Sequence, residues 1–103
     1  MPKVERLTDQ SGESVCWYFE CPACRIGHSP HTQRGPEGGP RWTFNGDVEK
    51  PTFAPSLLVR WEKGPDHVPQ VCHSFIRDGM IEFLGDCTHE LAGKTVPLGD
   101  IVD

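Results

Sequence analysis

The strongest chemical signal in this chain is Cys21-Pro22-Ala23-Cys24, followed by His28 and, far along the sequence, by Cys72-His73. Two thiolates two residues apart can grip one tetrahedral ion from a single tight turn, and a distant Cys or His can complete the shell. Cys16, His28, Cys72, His73, Cys87 and His89 are the available closers. His28 lies near enough to Cys24 to return to the same ion, and zinc needs a further soft donor that Cys72 can supply. The expected shell is therefore Cys21, Cys24, His28 and Cys72, and the expected ion is Zn2+. Three competing readings are a redox Cys-x-x-Cys, a pair of packed thiols, and a solvated loop histidine at position 28. The redox motif usually opens a long helix, and nothing after Cys24 reads as a long helix.

A second group of reactive types remains: His73, Ser74, Asp86 and His89. A Ser–His–carboxylate set is an established way to activate a hydroxyl nucleophile. The plainer reading makes Ser74 a strand serine and Asp86 a helix cap. A metal-dependent hydrolase would use His28, His73 or His89 as ligands, with Glu82 or Glu90 as base. His89-Glu90 is followed by Leu91-Ala92-Gly93, so the His-Glu-x-x-His motif is absent. Cys87, two residues before His89, is a further candidate nucleophile. From residue types alone these readings stay open.

The elements must position those groups with little material. The chain has 103 residues, enough for one domain, and Leu, Ile, Val and Phe together number 23. That supports only a small core, so a metal link between the regions near 21 and 72 would add stability. The net charge of −5 argues against a nucleic-acid partner. No apolar run approaches a membrane span, and the first residues lack an apolar signal core, so a cytoplasmic protein is expected. Five cysteines is an odd count that favours metal or thiol chemistry over a disulfide framework.

Residues 1–14 read as a lead-in or edge strand, and 15–103 as the zinc-binding β domain. Val15 to Glu20 is aromatic and β-branched, with Trp17, Phe19 and Cys21 on one face and Cys16 on the other, which excludes Cys16 from the shell. The Ser-Pro, Gly-Pro and Gly-Gly-Pro signals within 25–40 predict an exposed loop. Arg41 to Phe44 begins a strand, and Asn45-Gly46 predicts a hairpin turn. Pro51 and Pro55 keep Thr52-Phe53 out of a central ladder. Ser56 to Glu62 is a strand, and Gly64 to Pro69 a loop. Val71 to Ile76 and Met80 to Leu84 form a hairpin across Asp78-Gly79, pairing Arg77 with Met80, Phe75 with Glu82 and Ser74 with Phe83. A short helix is expected over Thr88 to Ala92, ended by Gly93, and then a strand over Thr95 to Leu98. The fold class is mainly β: a single-domain antiparallel meander of about five or six strands, with a zinc knuckle and one short helix near the C-terminus.

Several ordered blocks carry a resemblance: Cys21-Pro22-Ala23-Cys24 with His28, Arg41-Trp42-Thr43-Phe44-Asn45-Gly46-Asp47, Pro51-Thr52-Phe53-Ala54-Pro55-Ser56, Cys72-His73-Ser74-Phe75, Asp78-Gly79, and Asp86 through Val96. Residues 15–98 resemble a small phage and bacterial family of formerly unknown function, often mislabelled as ammonia monooxygenase. They are similar to the BubE-like peptidases of operons that encode ubiquitin-like conjugation machinery. The monooxygenase label finds no facial triad or copper-type histidine cluster in support. The resemblance implies a peptidase whose substrate is the C-terminal tail of a ubiquitin-like protein. Its Cys-His-Ser and Asp-Ser/Cys-Thr-His blocks fall on Cys72 to Ser74 and on Asp86 to His89. Cys87 stands where Ser also occurs, so an obligatory thiolate ligand is not expected there.

The expectation taken forward is a serine-type peptidase with structural zinc. Ser74 is the nucleophile, His89 the general base and Asp86 the group that orients it. His73 assists or binds substrate, and an exposed strand edge receives the tail. The alternatives are a zinc-dependent metallopeptidase and a non-enzymatic zinc-ribbon module that binds a protein through Trp17, Tyr18, Trp42, Phe44 and Trp61.

Overall fold

A computed structural model describes residues 2–10, 12, 15–33 and 41–101. The aromatic and β-branched run predicted as the first confident strand forms β2 (Val15–Glu20), with Val15 and Phe19 buried and Cys21 buried at its end. It pairs antiparallel with β1 (Glu5–Thr8), within the lead-in. It also pairs with β3 (Gly27–His28) and β4 (His31–Gln33), inside the stretch predicted as loop. The Gly-Pro and Gly-Gly-Pro part of that prediction, 34–40, lies outside the described residues.

The second sheet runs in chain order, as a meander must: β5 (Thr43–Phe44), β6 (Phe53–Lys63), β7 (Val68–Arg77), β8 (Met80–Phe83) and β9 (Thr95–Pro97). The β7–β8 register is the predicted one, with Arg77 opposite Met80, Phe75 opposite Glu82 and Ser74 opposite Phe83. Asp78 and Gly79 turn the chain at φ 51° and 78°, the positive pair that a type I′ turn requires. Alternation along β7 buries Cys72, Ser74 and Ile76 and turns His73 and Phe75 the other way. With Val4, Phe19, Cys21, Phe53, Leu57, Ile81, Phe83, Cys87 and Leu98, Cys72 and Ile76 form one core cluster shared by both sheets.

Several expectations change. Nine strands are present among the described residues, several of them only two or three residues long. The predicted helix over Thr88 to Ala92 is a series of turns closed by Ala92 N–H to His89 carbonyl and Lys94 N–H to Leu91 carbonyl. Five residues cannot repay helix nucleation, and Gly93, at φ 79°, instead bonds back to Phe83 across the sheet. Asn45-Gly46 opens an eight-residue connection rather than a two-residue hairpin, because the Asn45 Oδ1 accepts both the Asp47 and Thr52 N–H groups.

Phe53 does stand in the central ladder, opposite both Phe44 and Ile76. Pro55 is tolerated because the register with β7 shifts between Phe53 and Leu57, where no N–H is needed. Pro69 likewise pairs within β7, opposite Glu62, and the strand begins earlier than predicted. Among the described residues no helix is long and apolar enough to cross a membrane.

Candidate functional site

The Cys-x-x-Cys turn is built by its backbone. Cys21 N–H donates to the Ile26 carbonyl at 3.0 Å and Arg25 N–H to the Cys21 carbonyl at 2.9 Å, so the chain reverses and re-enters as β3. Arg25 takes φ 60° to close the turn, and Cys24 N–H points at the Cys21 sulfur at 3.4 Å. A Cβ at Gly27 would run into the Tyr18 ring, which is why the residue before His28 is glycine. From β3 the His28 side chain enters the core, edge-on to Phe19.

These elements meet Cys72 on β7. One ligand atom from each of Cys21, Cys24, His28 and Cys72 lies within 4.8 Å of the others, close enough to hold a metal ion. Cys21 and Cys72 Sγ are 3.9 Å apart, and both residues are fully buried. The His28 tautomer is fixed: Nδ1–H donates to the Gly27 carbonyl at 3.2 Å, which leaves a bare lone pair on Nε2. That Nε2 is buried with no hydrogen-bond partner among the described residues, the condition of a nitrogen that awaits a cation.

The three thiols cannot all ionise together in so dry a place. The hydrogen bond from Cys72 lowers Cys21 to about 3, against burial. Burial pushes Cys24 up to about 12, and the bond to Cys21, with burial behind it, pushes Cys72 up as well. A divalent cation relieves this arrangement, so the donor set fits a metal of the zinc class. Cys16 stands apart, its thiol pushed up by burial.

The groups expected to be catalytic divide into two places. Ser74 is 1% exposed on the core face of β7, and its Oγ has no hydrogen-bond partner among the described residues. His89 packs edge-on against Phe83, its Nδ1 accepting the Leu91 N–H, its Nε2 buried and also unpartnered. One of its nitrogens, with the Cys72 and Cys87 sulfurs, forms a second close group.

His73 and Asp86 meet on the opposite face of the sheet. The His73 Nδ1–H donates to Asp86 Oδ2 at 3.0 Å, which leaves Nε2 to accept from the Ser56 hydroxyl at 3.1 Å. Ser56, His73 and Asp86 thus form one hydrogen-bonded chain, with His73 a quarter exposed at its centre.

Ser56 was not among the expected residues. It belongs to the Pro51–Ser56 block that carries the resemblance, yet nothing local distinguishes it from other strand serines. It reaches His73 because the register break after Phe53 lets the chain depart from the β7 ladder, so that Leu57 opposes Ser74 and Leu58 opposes His73. Trp42 Nε1–H holds the Ser56 carbonyl at 3.2 Å.

Asp86 reaches its place through the edge of β7. β8 covers that edge only from Ser74 to Arg77. Beyond it, Leu84 N–H donates to the His73 carbonyl at 2.8 Å, and Thr88 N–H to the Val71 carbonyl at 3.0 Å. Two side chains then act as backbone would: Thr88 Oγ1 accepts the Val71 N–H at 2.9 Å, and Cys87 Sγ accepts the His73 N–H at 3.2 Å. The segment is pinned to the strand on both sides of Asp86.

A hydroxyl, an imidazole and a carboxylate bonded in this order are the arrangement that serine hydrolases use. The family described as bacterial ubiquitination-like system serine protease, BubE, matches residues 2–84, and the chain belongs to it. Asp86 lies just past the matched residues. No curated protein matches the chain. No solved structure matches it.

Proposed function

We propose that this protein is a serine-type peptidase that cuts at the C-terminal tail of a ubiquitin-like protein, with Ser56 as nucleophile, His73 as general base and Asp86 as the group that orients His73. The observation that carries the reading is the hydrogen-bonded chain Ser56–His73–Asp86. His73 Nε2 takes the Ser56 proton as Oγ attacks the scissile carbonyl, then returns it to the leaving amine. Water reverses the sequence and frees the acyl group. Asp86 holds the tautomer and stabilises the imidazolium that forms. Ser74 faces the core, where a peptide reaches it only if the sheet opens, so the role expected for it passes to Ser56. His89 takes no part in this chemistry.

Cys21, Cys24, His28 and Cys72 hold zinc in this reading. Four protein donors close a tetrahedral shell, so the ion serves structure, and no catalytic step passes through it. The extended tail suits a site on the solvent side of a sheet, and membership of the bacterial ubiquitination-like system serine protease family points to the protein system.

The test is a tail-extended ubiquitin-like protein from the same conjugation system, incubated with wild type and with Ser56→Ala, His73→Ala and Ser74→Ala. Ser56→Ala and His73→Ala are expected to lower cleavage by roughly 10³-fold or more. Ser56→Ala cleaving at the wild-type rate would sink the reading.

A further inference from the structure

The sulfur of Cys87 makes two bonds to one residue. Its Sγ accepts the His73 N–H at 3.2 Å, and its S–H donates to the His73 carbonyl at 3.2 Å. Both backbone polar groups of His73 on that edge of β7 are thereby tied to a single side chain, which is buried in the core cluster. The His73 carbonyl also accepts the Leu84 N–H at 2.8 Å, but the His73 N–H goes to the thiol, because the ladder with β8 starts at Ser74. Cys87 also follows Asp86 directly in sequence. The dipeptides Cys72-His73 and Asp86-Cys87 therefore face each other in two layers, imidazole with carboxylate on the outside and the two thiols on the inside.

We propose that Cys87 is a positioning residue for His73, acting through that two-bond grip on its backbone; the proposal rests on the Ser56–His73–Asp86 reading. A rotation of the His73 peptide would swing the imidazole away from Ser56. A lift of the 84–88 segment would take Asp86 from Nδ1. The thiol opposes both motions, and displacement on the ångström scale is costly for a base that must meet a hydroxyl at hydrogen-bond distance. The S–H bond to the carbonyl requires a protonated sulfur, so Cys87 in this role is not a metal ligand, although it lies near Cys72 and His89. Serine offers the same donor and acceptor, and alanine offers neither.

The experiment compares Cys87→Ala and Cys87→Ser with wild type in three measurements. These are the rate at which a fluorophosphonate probe labels Ser56, the kcat and KM for p-nitrophenyl acetate, and the metal content by elemental mass spectrometry. Cys87→Ala is expected to label about 10- to 100-fold more slowly. Its ester kcat falls in step, with KM and metal content unchanged. Cys87→Ser is expected to stay close to wild type in all three.

Three results would overturn the proposal: Cys87→Ala at the wild-type rate, a folded Cys87→Ser as slow as the alanine variant, or loss of metal from Cys87→Ser, which would make the sulfur a ligand. The serine variant decides the matter if alanine fails to fold. A wild-type protein that the probe does not label at Ser56 removes the triad reading and this proposal with it. Wild-type labelling at Ser56 with an indifferent Cys87 removes this proposal alone.

Discussion

Ser56 and Ser74 show how little a serine's own letter says about its chemistry. Ser74 follows His73 directly, and alternation on a strand sends their side chains to opposite faces, so the two cannot meet. Ser56 is seventeen residues from His73 and meets it across the β6–β7 pair. The burial of Ser74 Oγ without a partner among the described residues is a cost the fold carries, since a buried hydroxyl loses its water. Ser74→Ala should therefore leave peptidase activity near wild type and change stability by no more than about 1 kcal/mol, in the stabilising direction if the cavity is small. Denaturant melts alongside the tail-cleavage assay check this, and a Ser74→Ala protein that folds but is inactive would return the nucleophile to the core face.

Two tight elements do most of the positioning. The Cys21–Ile26 turn delivers two sulfurs and a histidine to one point, and the Asp78-Gly79 turn sets the register in which Cys72 and His73 face opposite sides. Gly79 holds φ 78°, and a Cβ there would stand 3.3 Å from the Glu49 carbonyl oxygen and the Lys50 Cα. Gly79→Ala combines left-handed backbone with a crowded Cβ against main chain, so it should cost about 1–3 kcal/mol. A shift of the urea midpoint at constant slope would register it, and an unchanged midpoint would mean that the turn relaxes freely.

On the scale of the whole molecule, Cys21, Cys24 and His28 belong to the four-stranded sheet and its turn, and Cys72 belongs to the five-stranded one. A metal ion held there would tie the two sheets together within a core that has few large side chains. Chelation should therefore lower the melting temperature by on the order of 10 °C or more and remove activity together with the fold.

The same site sets a pH dependence. The hydrogen bond from Cys72 lowers Cys21, while burial holds Cys24 up and the bond to Cys21, with burial, holds Cys72 up, so protons compete with a cation for the raised thiols. Metal binding is expected to expel protons from those thiols, so affinity should fall as pH is lowered. Titration calorimetry in buffers of different ionisation enthalpy counts them, and zero proton release would show that all three sulfurs ionise without the ion.

The chain by itself determined what depends on local pattern. Spacing marked Cys21, Cys24 and His28 as donors, alternation separated Cys16 from them, and Asp78-Gly79 fixed a hairpin register to the residue. Those inferences rest on distances of a few residues, where backbone geometry leaves little choice. The partner of His73 was a different kind of question. Ser56 becomes its neighbour only through a register break in β6, and Asp86 only because Cys87 and Thr88 take over the hydrogen bonds of an unfinished strand edge. Pairing across strands depends on which residues face each other after folding, and that is set by the ladder as a whole. The expected helix over Thr88 to Ala92 failed for the same reason: bonds to β7 and β8 outcompeted a single isolated turn.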